Sequence, residues 1–166
     1  MESITHNLSA ILIQILCFNF FMYPMNFILT IFIAFLSHFL SDALSKITYH
    51  TPKAMKKDKF WVIWHVIIYS ASIIVAVIFL IPFWLALLSV NIPDVIDWFI
   101  IRPLNNRKRG KSSEVGEEKN YRLHRIADWI RSKLLFWLPD LTYKKVGIIT
   151  ELITIGILSF LIWLFI

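Results

Sequence analysis

Six ionisable side chains interrupt the long apolar stretches of this 166-residue sequence: His38, Asp42, His65, Asp94, Asp97 and Glu151. His38 and Asp42 are four residues apart, so on a helix they stack on one face, with Ser41 and Ser45 beside them. Asp94 and Asp97 are three apart and again share a face, with Asn91 one turn earlier. His124 and Asp128 repeat the His-x-x-x-Asp spacing in a more polar segment. Imidazoles and carboxylates without a thiol partner suit one or two divalent cations such as Zn, Mn or Mg. The lone Cys17 lies in an apolar run and reads as a packing residue. Two carboxylates brought together in a dry site repel unless one is protonated or a cation sits between them. A metal held there could acidify a water and clamp a phosphoryl or acyl oxygen. Arg102 and Arg125 are suited to receive an anionic group.

Each residue also has a plainer reading. His65 in an apolar helix can be a hydrogen-bonded packing residue. Asp94 and Asp97, following Pro93, can be the cap and first turn of a helix. Asp128 can pair with Arg125 or Arg131 on a solvated face. Glu151 shares its stripe with Gly147, Thr150 and Thr154, a small and polar face suited to helix contact.

The segment Leu36-Ser37-His38-Phe39-Leu40-Ser41-Asp42-Ala43-Leu44 resembles the S-H-x-L-x-D segment of small inner-membrane proteins classed as metal-dependent hydrolases. Asn91-Ile92-Pro93-Asp94-Val95-Ile96-Asp97 resembles their L-P-D-x-D segment, with one extra residue between the acids. Leu123-His124-Arg125 is similar to their H-R-x-x-T-H segment, with Asp128 standing where the second histidine would be. The order differs, since the S-H-x-L-x-D piece comes first here and last in the family. The resemblance covers about a fifth of the chain. It implies a multi-helix membrane metalloenzyme whose ligands include His38, Asp42, Asp94, Asp97 and His124.

Elements that could position these groups follow from composition. Hydrophobic residues make up 58% of the chain and charged residues 17%, against roughly 45–50% and 25% in soluble domains. That excludes an ordinary soluble globule and a disordered chain, and predicts an all-α integral membrane bundle. All 17 Lys and Arg fall within residues 46–59 or 102–145. Such clustering is what retention of basic loops on the cytoplasmic side produces, so the net charge of +6 gives no reason to expect nucleic acid.

Parity then sets the topology. The stretch 60–101 begins and ends beside basic segments, so it crosses an even number of times, as spans 60–81 and 83–101 about an outer turn at Pro82. Further spans are expected at 8–23, 26–45 and 146–166, five in all, with the N-terminus cytoplasmic in a plasma (inner) membrane. The first is short, about 24 Å of helix, and reads as spanning, half-inserted or interfacial. It does not read as a signal peptide, because Glu2 precedes it and no Lys or Arg does. All six ionisable residues then lie in the cytoplasmic half.

The cytoplasmic loop 102–145 contains an amphipathic pattern over 120–138. Leu123, Ile126, Ala127, Ile130, Leu134 and Trp137 recur at helical spacing, which predicts a helix on the membrane surface. The expected function is metal-dependent hydrolysis of a lipid-borne ester or phosphoester at the cytoplasmic face. His38, Asp42, Asp94 and Asp97 would hold metal, with His65 as a further ligand or supporting partner. His124 and Asp128 would act from the surface helix as ligand or acid/base, and Arg102 and Arg125 would bind an anionic lipid. The alternative is a non-enzymatic membrane protein, an ion- or proton-coupled transport unit or a subunit of a complex. The outer halves of the spans carry no ionisable residue, which disfavours a transmembrane relay.

Overall fold

The computed structural model describes residues 1–51, 55, 57–101, 103–104 and 123–166, and the described residues contain helices and no strand. The elements are α1 (Ser3–Phe20), α2 (Met25–Leu44, extended by a 3₁₀ turn Ser45–Ile47), α3 (Lys59–Val95), α4 (His124–Lys133) and α5 (Gly147–Phe165). α3 runs directly into a π-turn, Ile96–Ile101. Four of the helices are long and apolar enough to cross a membrane: α1, α2 with its turn, α3 with its π-turn, and α5.

The break expected at Pro82 is present as a kink rather than a loop. Phe83 leaves helical geometry at φ −123° and ψ 26°. Asn7 of α1 shows how sharp it is. Its side-chain amide donates to Ser72 Oγ at 3.1 Å, and its carbonyl oxygen accepts from Asn91 Nδ2 at 3.2 Å. Ser72 and Asn91 would stand about 28 Å apart on a straight helix, so α3 doubles back on itself. Gln14 pins the bend, donating to the Pro82 carbonyl at 3.0 Å and accepting from the Ala86 amide at 3.0 Å. Backbone groups freed by a kink need such partners where water is excluded.

α1 and α5 run parallel. Thr5 donates to Glu151 near one end, and Asn19 Nδ2 donates to the Phe165 carbonyl at 3.3 Å near the other. α2 runs antiparallel to α1, with Phe18 against Phe27 at one end and His6 against Asp42 at the other. Both the start of α3 and the start of α5 lie at the His6 end, where Lys145 Nζ sits 4.2 Å from the Phe60 ring centre. The stretch 60–101, expected as two spans about a turn, is therefore one bent helix with its π-turn.

Far from lying at the surface, α1 is the central helix, packed against α2, α3 and α5. Ile4, Leu8, Ile11 and Ile15 form one core with Trp64, Ile68, Leu87 and Ile162. On its other side Ala10 meets Ala34, Ala86 and Val90, small residues that let three helices approach closely. Many large apolar side chains of α2, α3 and α5 face outward, among them Ile31, Phe32, Ile73, Val77, Ile81, Ile153 and Phe160. That is a surface suited to lipid.

Candidate metal centre

α2, α3 and α4 converge on one ring of atoms. His38 Nε2 lies 3.3 Å from Asp42 Oδ2 and 3.8 Å from Asp94 Oδ1. His124 Nε2 lies 3.3 Å from the same Asp42 Oδ2 and 3.1 Å from the same Asp94 Oδ1. Nitrogens and oxygens thus alternate around a closed ring. Ligands at 2.0–2.2 Å from a common metal would be separated by about 3.0–3.6 Å, a range that holds three of the four edges, the His38–Asp94 edge of 3.8 Å being longer. The buried atoms His38 Nδ1, His38 Nε2 and Asp42 Oδ2 make no hydrogen bond within the described structure. His38 Nε2 and Asp42 Oδ2 thus lie 3.3 Å apart without forming a hydrogen bond. Burying such groups without a partner is costly, and a cation is the partner this donor set fits.

The ring has a closed floor and an open mouth. The His38 side chain is 2% exposed, whereas Asp94 is 47% exposed. Behind His124, the fully buried Asp97 accepts from the His124 Nδ1 position at 2.6 Å, and its Oδ2 also accepts the Leu123 and His124 backbone amides at 3.1 and 3.2 Å. Asp97 therefore caps α4 and fixes the ring nitrogen that His124 presents, as carboxylates behind metal-ligating histidines do. The π-turn makes this possible, since its wider register lets Asp97 turn to α4 while Asp94 stays in the ring. Burial alone would lower the His124 pKa, but hydrogen bonds to Asp94 and Asp97 and the charges of Asp42 and Asp94 raise it to about 9.

α4 is held by a second pin. Arg131 donates from Nη2 to the Asp42 carbonyl at 2.8 Å and to Ser45 Oγ at 3.0 Å, closing the C-terminal end of α2. His124, the buried Ala127 and Arg131 form the face turned to the bundle, while Ile126 and Trp129 are exposed. The helix is shorter than the 120–138 expected from periodicity, and residues 120–122 lie outside the described ones. Its less exposed side mixes His124 and Arg131 with Leu123, Ala127 and Ile130 of the expected apolar stripe, whereas Ile126 of that stripe is exposed.

The other residues singled out by spacing lie outside this ring or outside the described residues. Asp97 supports His124 from behind and is not a member of the ring. His65 stands apart from the ring: its Nδ1 contacts the Trp61 carbonyl at 2.8 Å and its ring stacks on Trp61 at 4.1 Å. Asp128 is exposed and pairs with Arg131 at 3.2 Å, in keeping with its plainer reading. Asp94 and Asp97 do not start a helix, because α3 continues through Pro93. Arg125 is exposed on α4, and Arg102 lies outside the described residues.

Two participants escape the reading from spacing. His6 is buried on α1, with Nε2 at 3.2 Å from Asp42 Oδ1. Glu2 is buried too, with its carboxylate 3.5 Å from His50 Nδ1. Its backbone amide donates to the fully buried Glu151, which also accepts from Thr5. Close packing beside this pair depends on Gly147, where a Cβ would overlap the backbone of Thr48 and Tyr49. Comparison with protein families, curated proteins and solved structures finds no match to this chain.

Proposed function

We propose that this protein is a membrane-embedded, metal-dependent hydrolase acting on a lipid-borne phosphoester at the cytoplasmic face. The observation that carries the reading is the alternating ring of His38, Asp42, His124 and Asp94, with buried ring atoms that lack hydrogen-bond partners. Two carboxylate charges offset one divalent ion, and mixed imidazole and carboxylate donors favour Zn or Mn. When bound, the ion would acidify a water and offset the charge of phosphoryl oxygens.

The chain's own residues account for the rest. Asp97 orients His124, and Arg131 holds α4 over the inner end of the bundle. Asp94 lies at the open side, where a substrate would enter. Trp98, Phe99 and Ile100 follow Asp97 and are exposed, which suits an entrance at the level of lipid headgroups. Arg125, and Arg102 beyond the described residues, would receive the anionic group. In the reaction, water oxygen bonds to phosphorus, the bond from phosphorus to the lipid oxygen breaks, and a proton passes to the departing alcohol. In this reading α3 counts as two crossings, giving five, with the basic segments and the N-terminal end of α1 in the cytoplasm and α4 on the inner membrane surface.

The test is metal content of detergent-purified protein by mass spectrometry, with phosphate release from phosphatidate in mixed micelles. Wild type should carry at least one divalent ion per chain and release phosphate, and Asp42→Ala and Asp94→Ala should lose both. A wild type that stays metal-free after reconstitution with Zn and Mn would end the hydrolase reading. The polar ring would then be interhelical packing, as in a subunit of a larger membrane complex.

A further inference from the structure

The Asp42 carboxylate is shared among three imidazoles. Oδ2 faces His38 and His124, while Oδ1 faces His6 at 3.2 Å. His6 and His38 lie ring against ring, with centres 4.6 Å apart, and both are buried. His6, His38 and Asp42 offer ligand atoms within 4.8 Å of one another, as do His38, Asp94 and His124. The Nδ1 atoms of both His6 and His38 are buried without a hydrogen-bond partner. His38 Nε2, the nitrogen that faces the carboxylates, is also buried without a hydrogen-bond partner, and two imidazoles pressed against one carboxylate are a reasonable ligand set.

Building on the metal-centre reading above, we propose that the site holds two divalent ions: one at His6, His38 and Asp42, the other at Asp42, Asp94 and His124, with Asp42 giving one oxygen to each. Such paired sites recur in phosphatases and nucleases, where two ions clamp the attacking and leaving oxygens of an in-line displacement.

The experiment is Mn(II) titration of the intact protein in detergent. Metal stoichiometry and electron paramagnetic resonance are measured on wild type, His6→Gln and His6→Glu, with helicity checked by circular dichroism. Two Mn per chain with an exchange-coupled signal are expected in wild type, one isolated Mn in H6Q, and recovery of the second in H6E, whose carboxylate supplies a replacement donor. One uncoupled Mn in wild type would overturn the two-metal proposal and leave the single-metal reading standing. Two Mn retained in a folded H6Q would remove His6 from the centre. No bound Mn in wild type, with Zn also failing, would sink both readings.

Discussion

Asp97 and His124 sit 27 residues apart in sequence and share the shortest contact of the candidate centre, 2.6 Å from carboxylate to Nδ1. The same carboxylate takes the first amides of α4, so one buried acid sets both the position of a helix and the nitrogen its histidine presents. Asp97→Asn keeps the shape and removes the charge. The expected result is a loss of roughly 10- to 100-fold in metal affinity, as for other residues supporting ligands from behind. Competition with a chromophoric chelator measures it. Unchanged affinity in D97N would mean that His124 does not reach the metal.

In the proposed centre, protons would compete with metal for His124. With its pKa near 9 in the metal-free protein, this imidazole is charged at neutral pH and must lose a proton before it can ligate. Apparent affinity is expected to rise about tenfold per pH unit from pH 6.5 to 9 and to flatten above that. The stability linkage runs the other way. The ion pairs of the charged imidazole hold α4 fully below pH about 6.5 and are lost as pH rises through 9, so metal-free α4 should loosen at alkaline pH. Hydrogen exchange of α4 with and without metal checks the second effect. A pH-independent affinity would exclude His124 as a ligand.

Much of this is legible in the sequence, for identifiable reasons. Helical spacing puts His38 above Asp42, and confinement of Lys and Arg to two segments requires that 60–101 leave and return. Hydropathy fails at the start of α1: it begins the helix at Leu8, so His6 and Glu2 fall in a supposed tail. The i, i+4 spacing of Glu2 and His6, extended by Asn7 and Gln14, is the available signal for a buried polar face. His65 misleads because spacing cannot foresee a nitrogen used by the carbonyl one turn back. Asp94 and Asp97 look equivalent because a regular helix gives them one face, and only the π-turn separates their roles. Asp128 shares the spacing of Asp42, but the buried face of α4 is set by His124, Ala127 and Arg131, which leaves Asp128 at its edge.

Gln14 tests the bend. It satisfies a carbonyl and an amide that the kink after Pro82 leaves without helical partners. Gln14→Leu fills similar space but orphans both groups. A stability loss of about 1–3 kcal/mol is expected, measured by chemical unfolding in detergent micelles. No loss would mean that other groups satisfy the bend.

Two glycines of α5 give an internal contrast. Gly147 lies against the backbone of Thr48 and Tyr49, whereas a Cβ at Gly156 would meet nothing within 4 Å. Gly147→Ala must move backbone and should destabilise by about 1–3 kcal/mol. Gly156→Ala should be neutral or stabilising by up to about 1 kcal/mol, because alanine is the better helix former. Thermal unfolding followed by circular dichroism separates them, and equal effects would remove the close approach at Gly147.

Arg131 and Arg125 lie on the same short helix and are assigned different tasks. Arg131 ties α4 to the carbonyl end of α2, and hydrogen bonds from a charged donor are worth about 1.5–3 kcal/mol each. Arg131→Met keeps the aliphatic stem and releases the helix that carries His124, so metal affinity should fall by about tenfold or more. Arg125 is exposed and has no part in the ring. Arg125→Met should leave metal affinity unchanged and raise KM for an anionic lipid, with the effect shrinking at high salt. If both variants weaken metal binding alike, α4 is held by its overall charge rather than by the Arg131 fork. If R125M leaves KM unchanged, the anionic group is received elsewhere.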